Sequence, residues 1–208
     1  MLSFDTALLF VTASTALALS PGPDNLFVLT QSAINGRLAG LLVTVGICLG
    51  LVVQTLLVAL GIAMLFKTSP LAFAILKYLG AAYLLYLAWQ AFRSGPAQWQ
   101  SNAENPLKSW RLIARGALMN LTNPKVVIFF LAFLPQFVEA EAGAVTAQLV
   151  TLGVLFMASA ALVFSSVAIA GDYLATHFRE SERAQRWLNR MAGGVFVGLA
   201  LRLIREDP

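Results

Sequence analysis

Apolar residues in this chain fall in long, nearly unbroken runs, not in the two-residue or 3.6-residue alternation of half-buried elements. A membrane-spanning helix needs about 20 mainly apolar residues. Six stretches qualify or nearly do: about residues 7–33, 38–66, 71–92, 116–138, 148–170 and 191–204. The second and fifth contain no charged residue. The sixth is short and carries Arg202, so it must tilt, thin the bilayer or let that arginine snorkel outward. The expected fold is an all-α polytopic membrane protein with six transmembrane helices in one domain over residues 1–208; a five-span chain lacking one weak segment is the alternative.

Two of the runs are interrupted where a span would cross the bilayer. In the first, Ser20-Pro21-Gly22-Pro23-Asp24-Asn25 brings two prolines, a glycine and an aspartate into apolar surroundings. In the fourth, Asn120 is followed by Thr122-Asn123-Pro124-Lys125. Irregular backbone and charge survive inside a membrane only where protein or a water-filled cavity surrounds them, so the default reading is a transport site. Each break reads as a helix start: Ser20 as N-cap with Pro21 as first helical residue, and Asn123 as N-cap with Pro124 following. The start of each half-helix carries unpaired donors and partial positive charge that suit a carboxylate. The other reading is a pair of proline kinks that only shape packing.

Asp24 is the leading candidate, as a proton carrier or as the partner of a substrate ammonium group. Lys125 is its natural opposite charge; a static ion pair pinning two halves together is the competing role. Asn25, Asn120, Asn123 and Gln54, in the middle of the second run, complete the polar set. Gln31 and Asn35 lie seven and eleven residues beyond Asp24, close to the same helical face. Ser159, Ser165 and Ser166 read as helix-packing residues before ligands. The spacings Gly36/Gly40, Gly46/Gly50 and Gly194/Gly198 allow close helix contact, within the chain or in a homodimer, the former being preferred.

Charge placement orients the chain. With six spans, the loops on one side hold Arg37, Arg93, Lys108, Arg111, Arg115, Arg179, Arg183, Arg186 and Arg190. The other side holds Lys67, Arg202 and Arg205; Lys77 and Lys125 lie within spans. That asymmetry puts both termini outside and the central loop in the cytoplasm. Trp110, Leu112 and Ile113 among the basic residues of that loop read as a short surface helix leading into span four. Trp89, Trp99, Trp110 and Tyr86 suit an aromatic belt at the same interface. Asp5 precedes the first run and no basic residue does, so it reads as an uncleaved span, not a signal peptide.

The chain also reads as a repeat: residues 1–93, a linker at about 94–115, and residues 116–208. Leu76-Lys77-Tyr78-Leu79-Gly80-Ala81-Ala82 echoes Leu188-Asn189-Arg190-Met191-Ala192-Gly193-Gly194, and each half begins with a broken run. Three spans per half is an odd number, so the halves cross in opposite senses. Inverted repeats with interrupted helices are a transporter signature.

Composition excludes other classes. The chain is 59% hydrophobic and 12% charged, where soluble domains are nearer half and a quarter. Its formal charge of +4 sits in loops beside apolar runs, where anionic lipid accounts for it without nucleic acid. One cysteine, Cys48, and one histidine, His177, make neither a metal site nor a disulfide framework, and no cofactor is implied. Intramembrane acid–base clusters of the enzymatic kind are missing, so no enzyme is expected. A non-transporting membrane scaffold and an exporter of another small solute stay open beside an amino-acid exporter.

The motifs Leu19-Ser20-Pro21-Gly22-Pro23-Asp24-Asn25, Leu79-Gly80-Ala81-Ala82-Tyr83-Leu84, Asn120-Leu121-Thr122-Asn123-Pro124-Lys125 and Phe133-Leu134-Pro135-Gln136-Phe137 occur in that order. With Met191-Ala192-Gly193-Gly194 and Gly198 they resemble the LysE/RhtB amino-acid exporter family over nearly the whole chain. The resemblance implies a bacterial inner-membrane exporter of amino acids or their derivatives, driven by protons. Family members export lysine or arginine, threonine, homoserine and its lactone, or leucine-like compounds. Few deep charges remain here to neutralise a charged side chain, so small neutral or weakly polar amino acids are the expected substrates.

Overall fold

The computed structural model of the chain describes residues 2–20, 22–68, 70–93, 108–139, 142–171 and 182–205, and every regular element among them is helical. Eight α-helices are defined there: α1 (Phe4–Leu19), α2 (Pro23–Asn35), α3 (Arg37–Thr68), α4 (Pro70–Arg93), α5 (Ser109–Thr122), α6 (Pro124–Ile128), α7 (Val145–Ile169) and α8 (Glu182–Arg205). Between α6 and α7 the chain forms a π-helical turn, Phe129–Phe133, and a 3-10 turn, Leu134–Phe137. Pro21, Trp99, His177 and linker residues 94–107 lie outside the described residues, as do the side chains of Lys77 and Arg202.

Local chemistry sets the ends. Ser3 caps α1 by accepting from the Thr6 N–H at 3.1 Å, with Asp5 in the first turn favouring the helix dipole. Gly36 closes α2 at φ +81°, a conformation that disfavours side chains. Asn123 caps α6 by accepting from the Lys125 N–H at 3.1 Å, and Pro124 takes the first helical position, where its missing N–H costs nothing.

Over Arg37–Gly61 and Val145–Ile169, α3 and α7 are each long and apolar enough to cross a membrane. Twenty-five residues rise about 38 Å, against a hydrocarbon core of about 30 Å. The pair α1 and α2, bent by 59°, and the pair α5 with Pro124–Phe137, bent by 53°, each pass the same test when the two members are taken together. The expected runs at 71–92 and 191–204 are helical, and the latter begins earlier than expected, at Glu182.

At the centre α3 packs on α5, α7 and α2; α7 also packs on α1, and α4 packs on α8. The closest approach is between backbones. A Cβ on Gly46 would sit 2.1 Å from the Ile113 carbonyl oxygen, and one on Gly116 would sit 2.4 Å from that of Val43. Gly40 admits Ser32 and Gly50 admits Asn120, so these glycines serve packing within the chain.

The surface is apolar, and the apolar interior holds buried polar side chains. On α3, Val45, Leu49, Val52, Val53, Leu56, Leu57 and Leu60 are exposed, whereas Thr44, Gln54 and Thr55 are buried. A water-facing protein has the opposite arrangement; this surface faces lipid. The buried hydroxyls of Ser14, Ser32, Thr44 and Thr55 each donate to the carbonyl one turn earlier, and so do Ser159 and Ser166. These side chains are satisfied on their own helices.

Candidate functional site

Proline at a break removes the N–H that the carbonyl four residues earlier would accept. Pro21 does this to Leu17 and Pro124 does it to Asn120. Both carbonyls lie in the core, where an unpaired acceptor costs about 1–3 kcal/mol. The Lys125 ammonium, from the second broken helix, donates to the Leu17 carbonyl at 3.0 Å and the Ser20 carbonyl at 2.8 Å. Reciprocally, the Gln54 amide, from the first half of the chain, donates to the Asn120 carbonyl at 3.0 Å. The Asn123 N–H also donates there, at 3.1 Å. Each break is therefore completed by a side chain from the other half.

Between the two braces sits Asp24, 2% exposed, in the first turn of α2. Its Oδ2 accepts from Asn120 Nδ2 at 3.3 Å, and Asn120 Oδ1 in turn faces Gln54 Nε2 at 3.4 Å. Asp24 Oδ1, Gln54 Oε1 and Asn123 Nδ2 are buried without a hydrogen-bond partner. Such atoms are rare in folded proteins and mark groups awaiting a ligand, a water or a proton. Lys125 Nζ lies on the two carbonyls and is not hydrogen-bonded to the carboxylate. Each charge thus occupies the helix end of complementary sign, Lys125 at the C-terminal carbonyls of α1 and Asp24 at the N-terminus of α2. Gly22 makes this possible: a Cβ there would sit 3.1 Å from Lys125 Nζ.

Asp24, Asn120 and Lys125 open onto one cavity, whose other walls are Leu17, Ala18, Leu51, Val126, Phe156, Ala160 and Phe164. It has room for about one water molecule. Three polar side chains thus share a lining that is otherwise apolar.

The structure therefore gathers Asp24, Asn120, Asn123, Lys125 and Gln54 as the sequence led us to expect. It holds Asn25 at the edge, donating to the Ala18 carbonyl at 2.7 Å. Gln31 is buried but further along α2, where its Oε1 accepts from Asn35 at 3.0 Å. One detail differs. Ser20 is not the N-cap of the second half-helix; it ends α1, its N–H bonded to the Ala16 carbonyl, and α2 starts at Pro23 with Gly22 as cap. Of the two prolines the second takes the N1 place; Ser20 and Gly22 are both extended, and the Ser20 carbonyl accepts from Lys125. Sequence reasoning missed the backbone acceptors of Leu17 and Ser20. The i−4 rule for proline finds the first from sequence; nothing in the residue types signals the second, or the apolar wall.

The sequence profile of LysE type translocators matches residues 15–207. An uncharacterized membrane protein of Pseudomonas aeruginosa is 35% identical over 201 residues, covering 93% of this chain and 92% of that protein. The leucine efflux proteins of Salmonella choleraesuis and Salmonella typhimurium are each 28% identical over 195 residues, again with 93% and 92% covered. No solved structure matches the chain. With a lipid-facing exterior, a polar centre between broken helices and a profile match over nearly its full length, the chain belongs to the LysE translocator family of membrane transporters.

Proposed function

We propose that this protein is a proton-coupled secondary exporter of small neutral amino acids in the bacterial inner membrane, with leucine-like compounds foremost. The observation that carries the reading is the set of unpartnered buried atoms around Asp24, between two broken helices and beside an apolar wall. A zwitterion meets all three: its ammonium at Asp24 Oδ1, its carboxylate near Asn123 Nδ2 and Lys125, its side chain against Leu51, Val126 and Phe156. The leucine efflux relatives support the apolar side chain.

Six spans arranged as two inverted three-helix repeats give this site its setting, with α4 and α8 as third and sixth spans and both termini periplasmic. The packing supports that arrangement. α3 rests on the broken helix of the second half and α7 on that of the first, while α3 pairs with α7 and α4 with α8. Helices in matching positions of the two halves thus make matching contacts, as an inverted repeat requires. A chamber that admits about one water is a closed state. Loading an amino acid requires the half-helices to part on one side and then the other.

Cells overproducing the protein and preloaded with radiolabelled leucine, threonine, homoserine, lysine or arginine should lose at least one of the first three faster than control cells. A proton uncoupler should abolish the difference. Loss of lysine or arginine alone, or of nothing on the panel, would remove the neutral-substrate reading.

A further inference from the structure

The second broken helix changes its winding twice beyond the site: α-helical to Ile128, π-helical over Phe129–Phe133 and 3-10 over Leu134–Phe137. A π turn holds one residue more than an α-helical turn, and such turns concentrate at functional sites. This one carries a wall of rings. Phe129 meets Phe10 of α1 and Phe156 of α7, Phe130 meets Phe156, Phe137 in the 3-10 turn meets Phe10, and Phe133 bridges Phe129 and Phe137; all six are buried. The Phe129–Phe133, Phe133–Phe137 and Phe130–Phe156 centroids are 4.7, 4.9 and 5.0 Å apart. Phe156 is also a wall of the chamber that holds Asp24, so the ring cluster lies directly against the site.

The matching segment of the first half, α2, differs in kind. Beyond Asp24 it presents Gln31, Ser32 and Asn35, with Phe27 as its single aromatic residue. In an inverted repeat the two segments lie on opposite sides of the site, so one way out is polar and the other is plugged. The far end of the plug is clasped. Gln148 on α7, 4% exposed, accepts from the Glu139 N–H at 2.9 Å and donates to the carbonyls of Glu139 at 3.0 Å and Gly143 at 2.7 Å.

We propose that this phenylalanine cluster is the outer gate of the transporter, and that it opens when the π turn reverts to α-helical winding. Losing the extra residue turns everything beyond it by about 100° and shifts it by about 1.5 Å. That is enough to withdraw Phe133 and Phe137 from Phe10 and Phe129. The hinges are the Asn123-Pro124 break at one end and the Gln148 clasp at the other. The assignment of the gate to the exterior rests on the orientation given under the proposed function.

The test is accessibility, which needs no substrate. In a Cys48→Ser background, Ala160→Cys places one thiol in the chamber wall, and intact cells are treated with a membrane-impermeant maleimide. The thiol should be protected in the otherwise unaltered protein. Phe133→Ala removes two ring contacts and should speed labelling about tenfold, the equivalent of about 1.4 kcal/mol of closed state. Gln148→Ala should act in the same direction, and Phe133→Leu, which refills the space, should stay near the parent rate. Each variant is first checked for a single symmetric peak in detergent size-exclusion chromatography; if Phe133→Ala fails that check, Gln148→Ala decides. Unchanged labelling in the well-folded variants, or a rise seen only in inside-out vesicles, overturns the proposal. A rise from outside in a protein that exports no amino acid leaves the gate standing and removes the export reading instead.

Discussion

Lys125→Met is the most informative single substitution. It nearly preserves length and volume but deletes the ammonium that bonds the Leu17 and Ser20 carbonyls at 3.0 and 2.8 Å. Two backbone acceptors would be left buried, at about 1–3 kcal/mol each. Asp24 would also lose its opposite charge. Against this, the variant no longer bears the desolvation of a lysine that is 8% exposed. The carbonyl and charge losses win, because they leave uncompensated groups behind, and a net loss of about 2–4 kcal/mol follows. For a chain of this size that lowers Tm by about 4–15 °C, read by thermal unfolding in detergent. The double variant Asp24→Asn/Lys125→Met should lose less than the sum of the two singles, by about 0.5–3 kcal/mol. A Lys125→Met protein melting within about 1 °C of the parent, or strict additivity in the double variant, would refute the brace and the charge coupling respectively.

Asp24→Asn keeps size and removes the titratable group; export should collapse while the amount in the membrane, measured by immunoblot, stays normal. Gly46→Ala should cost about 1–3 kcal/mol in the same thermal assay, because the obstacle 2.1 Å away is backbone, whereas Gly194→Ala, with nothing within 4 Å, should be neutral or mildly stabilising. A reporter active only in the cytoplasm should be silent when fused after Pro208 and active near Asn102; the reverse pattern would invert the orientation.

The two unbroken candidate spans, in α3 and α7, were legible because a bilayer imposes length and apolarity on a crossing. The breaks were legible because proline and aspartate have few other reasons to sit in such runs. Asp24, Asn120, Asn123, Lys125 and Gln54 could be gathered from sequence since buried polar groups must find one another. Their pairing could not. Asp24 and Lys125 suggest an ion pair by charge, yet the ammonium serves the Leu17 carbonyl that Pro21 orphaned and the neighbouring Ser20 carbonyl, and the carboxylate is held by Asn120. Backbone acceptors carry no residue signature, so the extended conformations of Ser20 and Gly22 and the start of α2 at Pro23 stayed hidden. The winding change after Ile128 stayed hidden too: Phe129 to Phe133 is an ordinary apolar string, and only packing against Phe10 and Phe156 selects the wider turn.

The reciprocal bracing of the breaks has a consequence for how the protein is made. Leu17 and Lys125 are 108 residues apart, and Gln54 and Asn120 are 66 apart. At about 5–20 residues per second, the ribosome delivers Lys125 about 5–20 s after Leu17. Throughout that interval the first span stands in or near the membrane with its carbonyl unsealed, open to water, lipid headgroups or the insertion machinery. A first half released alone never acquires its seal. The first break therefore waits on residue 125: until it is synthesised, the Leu17 carbonyl lacks the donor that it has in the finished structure.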